Sequence, residues 1–463
     1  METRAITTPA TRTITPLEAG HSGAAKGAGA SRSAWIAYAI VAPAPLAIFV
    51  GHGLGGATGA QASLVLVATI SAAAFLVWRW TLNLSLDYRP LYAAAFCFVG
   101  LLTFVAWTAW APSSGLPQGP LTALVGSSRI AIVPDQTQLE LIKLVGLAVA
   151  VVCGFQIGSS AIQARRTINL ILILGLAWAL AALGLFLAGG QTRLSGLFVS
   201  PNTAGCLLLC LFLMALGRAT RALMQRHGRL LDRVVQAALY AAYAALLALC
   251  LSLTASRSAL ALAVALGPLL VGARLWRARP EKRVWIAGAG AICGVALALL
   301  AFATDRAVLS RLADTSLDAA DRWTIWSAYG SAFLQSPLYG FGLGSAPVLA
   351  KMAVTPDTYD AMWNIRAVHN VYLQWLVEGG IIGAVLMFAT LACLLAVAVK
   401  GATRGAFQSL APFLAVDLVF LLQGLVDYPL QIPSVAMMWA LLLGLQTGIA
   451  VRPVRQAPRR KTT

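Results

Sequence analysis

Apolar residues in this chain come in long unbroken runs rather than in narrow stripes. The runs lie at about 34–51, 61–78, 90–111, 139–158, 168–188, 202–217, 235–253, 258–273, 285–303, 371–399, 408–426 and 433–451. A hydrocarbon core about 30 Å thick takes about 20 apolar residues in helical form to cross. Backbone polar groups in lipid must be satisfied within the spanning unit, so only helices and closed barrels qualify. Barrel strands alternate apolar and polar positions, and these runs do not. The pattern predicts an all-α fold, a polytopic membrane helical bundle of about twelve transmembrane helices. The widest gap, between the ninth and tenth runs, predicts a long loop.

Composition agrees: of 463 residues, 59% are hydrophobic and 11% charged, against roughly 25% charged in soluble domains. A soluble enzyme is excluded. The formal charge of +18 raises the question of nucleic acid, but cytoplasmic loops of membrane proteins retain Lys and Arg, and no nucleic-acid partner is expected. With both termini cytoplasmic, every inside segment holds cations, and nine of the 34 Lys and Arg residues fall outside: Arg129, Lys143, Arg193, Arg257, Arg306, Arg311, Arg322, Lys351 and Arg366. Residues 1–33, rich in Thr, Ala, Gly and Ser, read as a disordered cytoplasmic tail, and 452–463 as a basic cytoplasmic tail. Spans 1–9 occupy 34–303, the outer loop 304–370, and spans 10–12 residues 371–451. The seven cysteines all lie in apolar runs without a CxxC pair, which reads as packing rather than as disulfides or a metal site.

Within the outer loop, Trp323, Trp326, Phe333 and Leu334 follow Asp321 and Arg322 at helical spacing, as in an amphipathic helix lying in the interface. Pro337 ends it, and Gly340, Gly342 and Gly344 read as a flexible turn. His369 then stands at the outer mouth of the tenth span. Asn370 beside it can orient the ring. Glu378 lies about 13 Å deeper along a helix, and intramembrane acids are rare and usually functional. Gly379-Gly380 permits close helix approach or a break at that depth. Asp417 and Asp427, in and at the end of the eleventh span, are expected to pair with outer arginines. Arginine presents a permanently charged planar fork suited to phosphate, so Arg193, Arg257 and Arg322 on the outer face suit a diphosphate.

At these residues the chain resembles the O-antigen ligase/polymerase superfamily of bacterial inner-membrane glycan transferases. The resemblance is colinear over roughly 130–385. It comprises Val133-Pro134-Asp135-Gln136-Thr137, Arg193-Leu194-Ser195-Gly196 with Pro201-Asn202, Thr254-Ala255-Ser256-Arg257-Ser258, and Asp321-Arg322 with Trp326. Ser336-Pro337 and Gly340-Phe341-Gly342 follow, then His369-Asn370 with Gly379 and Gly383. It implies an undecaprenyl-diphosphate-linked glycan donor, a glycan or glycolipid acceptor and a periplasmic active face, which makes the 304–370 loop periplasmic. His369 would be the catalytic base or acceptor-orienting group. Arg322 would act beside it, holding the diphosphate with Arg193 and Arg257, and Asn202, Asn370 and Glu378 would line the substrate site. Membrane lipids would surround the bundle, and no cofactor or metal is expected. A ligase-like transfer in lipopolysaccharide, capsule or exopolysaccharide synthesis leads, a repeat-unit polymerase follows, and a twelve-helix transporter is the rival from another class.

Overall fold

In the computed structural model the described residues are 38–82, 86–114, 127–225, 228–278, 315–365 and 367–452, with side chains of the helix that begins at 315 described from 321. The expected run 285–303, most of both tails, Arg306, Arg311 and Arg366 lie outside them. The helices are α1 (Pro43–Gly53), α2 (Ala60–Thr81), α3 (Tyr92–Trp110), α4 (Pro134–Ser159), α5 (Ala161–Leu185), α6 (Pro201–Met224), α7 (Leu230–Leu253) and α8 (Arg257–Ala278). After them come α9 (Thr315–Phe333), α10 (Ala346–Met352), α11 (Val371–Gly401), α12 (Phe407–Gln423) and α13 (Pro433–Ala450).

Among the described residues, nine helical segments are long and apolar enough to cross a membrane. One of them, Val371–Gln423, is 53 residues long and carries two of the expected runs. In the first expected run, described from residue 38, residues 38–41 are helical, the helix is interrupted at Ala42, and α1 starts again at Pro43 for 11 residues, proline standing where its missing N–H is not needed. Outward-facing side chains such as Phe96, Val99 and Leu187 are large, apolar and exposed, which water would not tolerate as a continuous surface and lipid does.

Small residues set the closest packing. α13 is buried along nearly its whole length and crosses α4 at Gly154, Gly158, Gly444 and Gly448. A Cβ on Gly154 would meet Leu441 O and stand 2.8 Å from Leu445 N, and one on Gly444 would stand 2.9 Å from Phe155 N. Backbone on backbone is the contact that small residues allow between membrane helices. Gly444→Leu is therefore expected to drive α4 and α13 apart and lower the melting temperature in detergent by many degrees. An unchanged melting curve would contradict this packing.

α11 does not run straight. Gly380 has φ 61 and ψ −172, and the break leaves backbone N–H groups without helical partners. The segment after α9 supplies them: Ile381 N donates to Pro337 O at 2.8 Å and Ile382 N to Leu338 O at 3.3 Å. In the other direction Phe341 N donates to Val377 O at 3.0 Å and Gly342 N to Glu378 O at 2.9 Å. Irregular backbone at membrane depth is stable when protein rather than lipid satisfies it. Gly340, Gly342 and Gly344, with φ of 67, 90 and 80, are thus not a flexible turn. A Cβ on Gly340 would stand 2.5 Å from the Glu378 carbonyl, so glycine is what lets the strap lie on α11.

α9 packs Ile325, Tyr329 and Ala332 inward, with Trp326 and Phe333 beside them, in a small core with Phe341, Leu349, Met362, Val368 and Val377. Trp323 and Leu334, expected on the same apolar face, are instead 71% and 74% exposed. The helical period continues through Ile325 and Tyr329, a more apolar line, and that line takes the core side. Tyr329 donates to Ala346 O at 2.8 Å, and burial pushes its phenol well above the usual range, so it remains a donor.

Asp417 pairs with no arginine. It accepts from Trp439 Nε1 and from Gln446 Nε2, each at 2.9 Å, an α12–α13 link that meets a buried acceptor's needs. Two of the cations expected on the outside are engaged locally, Lys143 with Glu140 at 2.7 Å and Arg129 with Ala109 O at 3.2 Å. The described cysteines are free thiols.

Candidate functional site

Three helix ends meet at one end of the bundle. The turn between α7 and α8 carries Thr254-Ala255-Ser256, with Ala255 at φ 49. Arg193, in the loop after α5, reaches its carbonyls: Nε donates to Thr254 O at 2.8 Å and Nη2 to Ala255 O at 3.0 Å. The same Nη2 donates to Asn202 Oδ1 at 3.1 Å. Leu194 N to Leu253 O at 2.9 Å ties the two loops through their backbones. Arg193 is therefore a half-buried guanidinium held in place. Arg257 opens α8 from the same turn, also half-buried.

Asn202 lies in the first turn of α6, where Ser200 Oγ accepts from its N–H at 3.3 Å, a helix N-cap. Its carbonyl accepts from Gln423 Nε2 at 3.4 Å, which brings in the end of α12. One turn further on is Asp427. Its Oδ1 accepts from Tyr428 N at 2.8 Å and stands 3.8 Å from His369 Nδ1, with side-chain exposures of 5% for Asp427 and 25% for His369. The His369 ring meets Tyr428 edge to face, 4.6 Å between centroids at 89°.

His369 itself sits at φ 55, a left-handed conformation that non-glycine residues adopt at a cost of about 1–3 kcal/mol and only where the surroundings hold it. They do so on both sides. Trp326 Nε1 donates to Val368 O at 3.2 Å. Val371 N, a first-turn donor with no helical partner, donates to Gly424 O at 2.8 Å. Asn370 caps α11, its Oδ1 accepting from Leu373 N at 3.0 Å, so it positions the histidine through the backbone and not through the ring. Arg322 is one helical turn before Trp326 on α9, the helix that contacts residue 368.

Glu378 is elsewhere. It is buried, and its Oε1 accepts from Ala346 N at 3.0 Å and Gln374 Nε2 at 3.3 Å. It fastens the loop to α11. Next to the site, an apolar cavity of about 380 Å³ opens between α3, α4, α11, α12 and α13, with Val371, Tyr372 and Gly424 in its wall. Glu140, Lys143, Glu378, Thr390 and Gln431 are among its polar lining residues.

The structure thus brings Arg193, Asn202 and the Arg257 turn into one connected set with His369, through Gln423 and Asp427. Sequence reasoning missed Gln423 and assigned Asp427 to an arginine. The available signal was depth: Asp427 ends its span at the level where His369 begins the previous one.

Residues 242–388 match a family model described as O-antigen ligase, which supports membership of that superfamily. The matched segment contains Arg257, Arg322, His369 and Glu378, while Arg193 and Asn202 precede it. No curated protein matches the chain.

Proposed function

We propose that this chain, as a member of the O-antigen ligase superfamily, moves a glycan from undecaprenyl diphosphate to an acceptor hydroxyl on the periplasmic face of the bacterial inner membrane. The observation that carries this reading is the left-handed His369 facing Asp427, joined by Gln423 and Asn202 to an anchored Arg193.

In this mechanism His369 Nε2 takes the acceptor hydroxyl proton as that oxygen attacks the anomeric carbon. The bond from that carbon to the diphosphate oxygen breaks, and its electron pair leaves with the lipid diphosphate. Asp427 on the Nδ1 side orients the ring and balances the imidazolium, as the acid of a catalytic triad does. The 3.8 Å separation shortens on substrate binding, as catalytic contacts commonly do. Arg193, Arg257 and Arg322 hold the diphosphate and stabilise it as a leaving group. Asn202, Asn370 and Glu378 have their acceptors engaged with Arg193, Leu373 and Ala346, so they position the site. The apolar cavity beside Val371 accommodates part of the prenyl chain.

Deleting the gene and resolving the surface glycans by gel tests the reading. Unmodified lipid-A core with accumulated polymer is expected. Glycans one repeat long would move the assignment to the polymerase, and an unchanged pattern of every surface and secreted glycan would overturn it. In purified vesicles Arg193→Ala should lower donor turnover by about 10²-fold or more. Arg193→Lys should recover little, because an ammonium cannot reproduce a fork that reaches two carbonyls and Asn202 together. Full rescue by lysine would remove the fork from the argument.

A further inference from the structure

The other end of the bundle carries a second concentration of charge. α8 begins at Arg257 in the site just described and reaches Arg274 about 25 Å further on. Arg274 is 1% exposed. Its Nη1 donates to Gln408 O at 2.5 Å, and Gln408 Nε2 donates back to Arg274 O at 3.0 Å. Its Nε and Nη2 are buried with no partner, as is Gln408 Oε1.

Four further arginines come to the same end. Arg218 and Arg221 lie near the end of α6, Arg165 in the first turns of α5, and Arg452 just beyond α13. Each feels its neighbours: Arg221 is repelled by Arg165 and Arg218, and Arg274 by Arg221. Burial first, then the charges of Arg221 and Arg165, bring Arg452 down to about 10. Among the described residues the ion pairs are Arg89–Asp87, Lys143–Glu140 and His369–Asp427, and none involves these five arginines. Besides Arg274, two of the five are held by neutral groups. Arg218 donates to Asn169 Oδ1 at 2.7 Å, and Arg452 to Gly158 O and Ser160 O.

Cytoplasmic orientation accounts for arginines at a water boundary. It does not account for a guanidinium removed from water with two donor nitrogens unmet. Arginine stays charged in a protein, and an unpaired buried charge is among the most unfavourable groups a fold can hold. Repulsion from Arg221 adds to that cost. An anion removes all three penalties at once, and a phosphate matches the guanidinium fork.

We propose that this cluster binds a phosphate-bearing anion, with Arg274 at its floor and Arg165, Arg218, Arg221 and Arg452 around it. The site is separate from the glycan-transfer site and independent of that assignment. It joins α5, α6, α8, α12 and the end of α13 through one ligand. A lipid headgroup and a free phosphate present the same chemistry, and the experiment separates them.

The full chain, delipidated in neutral detergent, is melted by tryptophan fluorescence with sodium phosphate against sodium chloride at matched ionic strength. It is melted again in bilayer discs of phosphatidylcholine with and without phosphatidylglycerol. A saturable rise in melting temperature with phosphate identifies a free anion. A rise only with phosphatidylglycerol identifies a headgroup. Arg274→Met should abolish the response and Arg221→Gln should raise the half-saturating concentration about tenfold, while exposed Arg79→Gln should leave it unchanged. If Arg274→Met does not fold, Arg221→Gln and Arg452→Gln carry the test. No rise in either arm for the unsubstituted protein, or an undiminished rise in the cluster variants, would overturn the site.

Discussion

His369→Asn is expected to lower glycan transfer by about 10²–10⁴-fold, the range a general base contributes, while the protein still inserts and purifies as a folded bundle. Asparagine is the informative substitution because it tolerates the left-handed backbone that His369 occupies at φ 55. Alanine would add backbone strain to the loss of the ring and confuse the two. The asparagine variant keeps the turn before α11, the Val371 N to Gly424 O bond and the cap at Asn370. It loses the group facing Asp427. Asp427→Asn should cost less, since it removes the partner of the base and not the base itself. The measurement is release of undecaprenyl diphosphate from a lipid-linked glycan donor in purified vesicles. Transfer at the unsubstituted rate by His369→Asn would end the case for this histidine as a base.

Gly380→Ala is expected to destabilise the 334–346 strap by about 3 kcal/mol or more and to reduce transfer with it, although Gly380 touches no substrate in the proposed mechanism. The cost has two sources. At φ 61 and ψ −172 the backbone lies in a region that essentially only glycine adopts, and an alanine there costs about 1–3 kcal/mol. A Cβ there would meet the Leu338 carbonyl and stand 2.6 Å from Tyr339 N, and these are backbone atoms that cannot swing aside. Displacing the strap gives up Ile381 N to Pro337 O and Ile382 N to Leu338 O, about 1 kcal/mol each. Gly379→Ala is the control. The nearest atom to a Cβ there is in the Trp375 ring, at 3.5 Å, an ordinary contact, and this variant should behave like the unsubstituted chain. Limited proteolysis across 334–346 reads the difference. Equal protease resistance of the two variants would show that the strap does not depend on Gly380.

Much of the site's periphery was legible in advance. The break permitted by Gly379-Gly380 is present, because two adjacent glycines inside an apolar run have few other uses. The arginines expected on the outer side stood out because the charge rule disfavours them there. What misled was treating polar residues singly. Glu378 read as a rare intramembrane acid facing substrate, and the structure adds that it lines the apolar cavity and receives a loop N–H. Asp417 read as an arginine partner, and in the structure it receives an indole and an amide. Both are buried acceptors meeting ordinary hydrogen-bonding needs, and the donors come from residues remote in sequence or outside any recognisable motif. The glycines after Pro337 looked like slack chain because sequence shows their freedom and not the helix they lie against.

By itself the sequence determined that this chain lives in a membrane as a helical bundle, where most of its spans fall, and which few residues could carry chemistry. Those properties follow from local quantities, the apolar length needed to cross lipid and the rarity of charge within it. The tertiary structure alone decided that Asp427 faces His369, that Arg193 and Asn202 join them through Gln423, and that Glu378 fastens a loop. A buried polar group must find a partner, but which partner depends on how distant segments pack, and that packing here is set by close glycine contacts whose geometry no local pattern records.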